Sequence, residues 1–194
     1  MYQIVLGKVS TLSAGQLPDA LIAQAPQGVR RASWLAGRVL LSRALSPLPE
    51  MVYGEQGKPA FSAGTPLWFN LSHSGDTIAL LLSDEGEVGC DIEVIRPRDN
   101  WRSLANAVFS LGEHAEMEAE RPERQLAAFW RIWTRKEAIV KQRGGSAGKS
   151  SAWTARCPLP CRSASVSSIR SVWQSVPHTV YADAADDNES VMTH

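Results

Sequence analysis

Apolar and polar positions alternate through the first half of the chain and recur at helical spacing through much of the second. Residues 2–9 predict a short strand, and 30–45 a helix with Trp34, Leu35, Leu41 and Leu45 inward, closed by Ser46-Pro47. Residues 53–61 carry the turn Gly54-Glu55-Gln56-Gly57-Lys58-Pro59 between apolar flanks. Residues 67–71 read as a strand that ends in the polar cluster Ser72-His73-Ser74-Gly75-Asp76. Residues 78–82 and 86–94 then read as a hairpin-like pair across Ser83-Asp84-Glu85.

From Trp101 the period becomes helical. Stretches 104–109, 113–120 and 123–143 predict helices, broken by Gly112 and Pro122. The order is α+β, with an N-terminal half at 1–95, a helical part of the C-terminal half at 96–147, and Arg96-Pro97-Arg98-Asp99 as the link. At Gly148 the character changes. Serine becomes abundant, prolines interrupt at 158, 160 and 177, and only 172–181 suggests an element. The run from Gly148 to Arg156 can be encoded by DNA that gives strand-like alternation when read one base earlier. Residues 148–194 are therefore expected to be an atypical, poorly ordered tail produced by a frameshift.

With 194 residues and 44% hydrophobic content, the chain can bury a real core. Its 20 basic and 20 acidic residues balance, so no global field recruits nucleic acid or a membrane surface. Three cysteines give no disulfide framework. Cys90 reads as a small core residue, and Cys157 with Cys161 lacks a second pair to complete a metal site. No apolar run approaches the roughly 20 residues of a membrane span, and no secretory leader pattern precedes the first strand. A cytoplasmic monomer is expected.

The chemistry concentrates in two segments. In Val88-Gly89-Cys90-Asp91-Ile92-Glu93, strand period puts Asp91 and Glu93 on one side, where like charges repel unless a cation neutralises them. A solvated edge face would also tolerate them. In the second segment Glu137 falls one turn after Trp133, inside the stripe Leu126, Phe129, Trp130, Trp133 and Val140, with Lys141 at i+4. An ordinary helical ion pair would explain that spacing, but a carboxylate in an aromatic stripe is costly without a partner. Three carboxylates with lysines nearby point to a hard divalent ion holding a phosphate. Lys58 sits on a turn stiffened by Pro59, and Ser72 and His73 stand where a strand ends. Read singly, each of these is as well explained by local structure.

As an ordered set, Gly57-Lys58-Pro59, Phe69-Asn70-Leu71-Ser72-His73-Ser74, Gly89-Cys90-Asp91-Ile92-Glu93, Phe109-Ser110 with Glu113, and Trp133 through Lys136-Glu137-Ala138 to Lys141 are specific. Across about residues 30–145 the sequence resembles the 4′-phosphopantetheinyl transferases of the surfactin-synthetase-activating type, the holo-acyl-carrier-protein synthases. The resemblance implies a pseudo-twofold α+β fold of two similar subdomains with coenzyme A between them, the second left incomplete here by the tail. It implies transfer of the phosphopantetheine arm of coenzyme A to a serine of an apo acyl or peptidyl carrier protein. By the same resemblance Asp91, Glu93 and Glu137 would hold Mg²⁺. Lys58, Ser72 and His73 would contact the adenosine 3′-phosphate and its neighbours, and Lys136 and Lys141 the pyrophosphate. Glu137 or a metal-bound water would take the serine proton, and Lys141 would stabilise or protonate the leaving group. Arg30, Arg31 and Arg38 are further phosphate candidates, and Arg121, Arg124, Arg131 and Arg135 a surface for an acidic carrier. Two alternatives stand beside this: an inactive relative that folds badly because of its tail, and a metal-dependent phosphohydrolase.

Overall fold

A computed structural model describes residues 2–55, 57–143 and, as backbone, 178–184. Strand β1 (Tyr2–Lys8) leads through short helices α1 (Val9–Leu12) and α2 (Asp19–Ile22) to α3 (Arg31–Ala44). A small hairpin, β2 (Met51–Tyr53) with β3 (Pro59–Phe61), precedes β4 (Trp68–Ser74), β5 (Thr77–Ser83) and β6 (Val88–Val94). The remaining elements are α4 (Trp101–Val108), α5 (Leu111–Glu118), α6 (Gln125–Gln142) and β7 (His178–Ala184). The class is the expected α+β.

The central strand of the main sheet, in order β1-β5-β4, is β5, antiparallel to both neighbours. That explains its unbroken apolar run. Ile78, Leu80 and Leu82 face the core under α1 and α3, while Ala79 and Leu81 meet Val88, Cys90 and Ile92 of β6 on the other side. A third cluster, Trp101, Ala105, Phe109, Met117, Phe129 and Trp130 among it, joins α4 and α5 to α6.

Two departures from the sequence expectation shape the site. Residues 78–94 do not form a hairpin. Both edges of β5 are already taken, by β1 and β4, so β6 leaves the sheet and pairs antiparallel with β7. Nor does β4 stop at Leu71. Ser72, His73 and Ser74 continue it, paired with Ala79, Ile78 and Thr77, and Gly75 makes the turn at φ 57°. The α5 helix also starts before Gly112, because Ser110 and Glu113 form a reciprocal capping box. The expected frame change at 148 lies outside the described residues. Of the segment 172–181, the last four residues fall in β7 and the rest are not described.

Candidate active site

Strand β6 turns one face to the sheet and the other to α6. Gly89, Asp91 and Glu93 share the second face, and Gly89 is what lets the two elements meet. A Cβ there would overlap the Ala138 carbonyl oxygen and stand 2.5 Å from the Gln142 amide nitrogen. With no side chain in the way, the helix settles on the strand, and Glu137 and Lys141 come to face Asp91. Along its other flank β6 runs beside β4 without a backbone ladder. The side chains of β4 supply the bonds instead. Asn70 Oδ1 accepts from the Cys90 amide at 2.8 Å, and Ser72 Oγ and Ser74 Oγ accept from Ile92 and Val94 at 3.3 Å. Each serine then donates its own proton forward, Ser72 to Asp91 Oδ1 at 2.9 Å and Ser74 to Glu93 Oε2 at 2.7 Å. The polar cluster that looked like a loop is thus a seam that aims two carboxylates.

These groups open into a cleft of about 480 Å³ lined by Ser72, His73, Asp91, Glu93, Glu137 and Lys141 together with Leu71, Arg98 and Trp133. Asp91 and Glu137 are only 4% and 6% exposed, too dry for unpaired charge. Burial raises the pKa of Asp91, against the Lys141 ammonium at 2.5 Å and the Ser72 hydroxyl, which favour its ionised form. Burial also pushes Glu137 up to about 7, with the Asp91 charge adding to it and Lys141 opposing. Loss of hydration and then Lys141 lower His73, although Glu93 and Asp91 pull the other way. Lys141 donates to Ser72 Oγ at 2.9 Å as well, so one ammonium bridges the seam and the acidic pair.

Asp91 Oδ2 is buried and has no hydrogen-bond partner among the described residues. A buried carboxylate oxygen left over beside two further carboxylates is the donor chemistry a hard cation takes, and the residues present fit one. The fit is one of donor type: among the described residues no three His, Cys, Asp or Glu side chains stand close enough together to hold a metal ion as they are. Lys141 is what stands against Asp91 in their place.

The structure does not bring Lys58 or Lys136 into this cleft. Lys58 Nζ donates to the carbonyls of Gln142 at 3.0 Å and Val88 at 3.4 Å, tying the β2–β3 turn to the end of α6, and burial lowers its pKa. It borders a different and larger cleft of about 580 Å³, beside Phe61, Phe69, Glu87 and Arg143, which contains none of the three carboxylates. Lys136 pairs with Glu113 at 2.9 Å and so fastens the capped start of α5 to α6. Arg131 and Arg135 are likewise engaged by Glu116, whose pKa they lower in spite of its burial. Arg38 is buried under Trp34, its guanidinium carbon 4.4 Å from the ring centre, and donates to the Tyr53 hydroxyl at 2.7 Å, with Nε unpartnered among the described residues. Cys90 is walled in and its thiol pushed up to about 12, as expected of a core residue. Arg98 was hidden by its linker setting. The signal that could reveal it is the Trp130 and Trp133 stripe, whose indole ring centres lie 5.7 Å from its guanidinium carbon.

A strand and a helix here present three carboxylates and a lysine to one cleft, a set of charged groups of the kind that polar, ionic ligands require. The sequence narrows that class. Residues 87–185 match the model of the 4′-phosphopantetheinyl transferase superfamily, and the chain belongs to that family. It is 98% identical over 147 residues to the 4′-phosphopantetheinyl transferase AcpT of Salmonella typhimurium (strain LT2), covering 76% of this chain and 77% of the relative. AcpT of Escherichia coli (strain K12) is 80% identical over 147 residues, 76% of this chain and 75% of that one. The transferase Sfp of Bacillus subtilis (strain 168) is 32% identical over 90 residues, 46% and 39% of the two chains. No helix among the described residues is long and apolar enough to cross a membrane.

Proposed function

We propose that this protein transfers the 4′-phosphopantetheine arm of coenzyme A to a serine of an apo acyl or peptidyl carrier protein in the cytoplasm, releasing adenosine 3′,5′-bisphosphate. The observation that carries the reading is Asp91. It is a buried carboxylate with one oxygen unpartnered, faced by Glu137 and Lys141 in a chain of this family.

In the reaction the serine oxygen forms a bond to the β-phosphorus, and the bond from that phosphorus to the bridging oxygen breaks. The nucleotide leaves with the bond's electrons. Asp91, Glu93 and Glu137 would hold Mg²⁺, which when bound neutralises charge on the pyrophosphate oxygens. The chain's own residues do the rest. Glu137, which faces the same cleft, is placed to accept the serine proton, directly or through a water. Lys141, tethered by Ser72, places a positive charge by the leaving phosphate and can return a proton there. His73 lines the same cleft and, with its pKa lowered by loss of hydration, adds a further polar contact for a phosphate.

Incubation with coenzyme A, Mg²⁺ and an apo carrier should add the mass of the phosphopantetheine arm to the carrier. Asp91→Asn should reduce that rate by a factor of about 10² or more, the scale for loss of a charge-stabilising group. Coenzyme A breakdown without carrier modification would instead mark a phosphohydrolase. No reaction from a folded wild-type protein would reject both.

A further inference from the structure

We propose that Arg98 is a phosphate-binding residue of the cleft, gripping a pyrophosphate oxygen of bound coenzyme A. The inference rests on the transferase reading above. Lys141 and Arg98 are the lysine and arginine that line the cleft, and they stand differently. Lys141 is committed to Asp91 and Ser72. Arg98 donates through Nε to Asn100 Oδ1 at 3.2 Å, and its guanidinium carbon lies 5.7 Å from the ring centres of both Trp130 and Trp133. Although three carboxylates share the cleft, no salt bridge joins Arg98 to any carboxylate among the described residues.

An arginine in that position is prepared for an anion. Two indole faces attract the guanidinium and restrict it, so little side-chain freedom remains to be lost on binding. The platform is itself fixed. Trp130 is buried and donates Nε1 to the Arg96 carbonyl at 3.0 Å, which pins the segment carrying Arg98 to α6. With Nε occupied by Asn100, the two terminal NH₂ groups form a fork whose spacing matches two oxygens of a phosphate. Trp133 stands one helical turn before Glu137 on α6, and Arg98 lines the same cleft as the three carboxylates. A pyrophosphate whose cation is held by Asp91, Glu93 and Glu137 would lie there, rather than the 3′-phosphate.

Titration calorimetry in Mg²⁺ tests this with wild type, Arg98→Gln and Arg98→Lys. The probes are coenzyme A, dephospho-coenzyme A and adenosine 3′,5′-bisphosphate, which lacks the β-phosphate. Arg98→Gln should weaken coenzyme A and dephospho-coenzyme A alike, by roughly tenfold or more, as for loss of a charge-assisted pair. Adenosine 3′,5′-bisphosphate should lose less, and Arg98→Lys should fall between. If the Gln variant fails to fold by circular dichroism, the Lys variant carries the test, with a loss of about threefold expected for a charge without a fork. Unchanged coenzyme A affinity overturns the proposal, and so does a loss confined to ligands bearing the 3′-phosphate. Normal coenzyme A binding with a raised KM for the carrier also overturns it, making Arg98 a reader of carrier acids. Wild type that binds no coenzyme A would sink the transferase reading instead, an outcome distinct from the others.

Discussion

Gly89 of β6 and Ala138 of α6 lie in direct backbone contact, with no room between them for a methyl group. The contact is between main chains, so neither side can yield by turning a rotamer. Gly89→Ala should therefore cost more than the roughly 1–3 kcal/mol of ordinary overpacking. A thermal melt should show a large drop or loss of a cooperative transition. An unchanged midpoint would mean that the strand and helix are not apposed as described.

The Ser74 hydroxyl links the Val94 amide to the Glu93 carboxylate. Ser74→Ala leaves a partly buried donor and acceptor unsatisfied, at a cost of about 1–3 kcal/mol. It should also raise the Mg²⁺ concentration needed for half-maximal transfer, since Glu93 is no longer aimed. Ser74→Thr keeps the hydroxyl and should restore the metal requirement. If Ala and Thr variants need the same Mg²⁺ as wild type, Ser74 has no part in positioning Glu93.

Glu137 sets a pH dependence whose sign is defined. Its folded pKa, about 7, lies above the ordinary 4.5, so between those values the folded state holds a proton that the unfolded chain has released. The stability it contributes is fully present below the ordinary value and is lost as pH rises through about 7. Asp91, also raised, acts in the same direction, and the lowered His73 opposes both below its ordinary 6.5. In chelator, the melting temperature of wild type should fall from pH 5 to 8 relative to Glu137→Gln. The limiting slope is about 1.4 kcal/mol per pH unit. Parallel pH profiles for the two proteins would contradict the assignment.

Lys136 and Glu113 are both largely buried, at 11% and 15% side-chain exposure, so their pair is more than a surface contact. Lys136→Met should lower stability by roughly 1–3 kcal/mol by stranding Glu113, and leave coenzyme A affinity within about twofold. A tenfold weaker affinity in calorimetry would return Lys136 to the pyrophosphate, where the family resemblance puts it.

Much of this was legible in the sequence because periodicity carries it. The alternation around Cys90 put Asp91 and Glu93 on one face, and the 3.6-residue spacing put Glu137 and Lys141 on one stripe; the cleft contains all four. What escaped reading depended on partners far along the chain. Ser72 and Ser74 have loop-like composition but lie inside β4, because their hydroxyls replace a backbone ladder to residues 20 positions on. The hairpin at 78–94 looked natural until β1 and β4 claimed both edges of β5. Lys58 gave no local sign that its ammonium would end on the Gln142 carbonyl, 84 residues away. Arg98 lay in a Pro-containing link, where nothing in the spacing tells a connector from a binding group. The backbone pairing of β7 with β6 depends on a segment whose composition alone suggested little.

The seam between β4 and β6 has a consequence for how such a site can change. A backbone ladder is indifferent to side chains and survives most substitutions. Here the joint between the sheet and the acidic strand is written in three residues, Asn70, Ser72 and Ser74, two of which also hold the carboxylates. Each can be altered one codon at a time, so the aim of the two carboxylates and the fastening of the two layers are inherited as a single trait. A lineage, or an engineer, that re-aims those carboxylates must also reset how firmly the strand is fastened to the sheet.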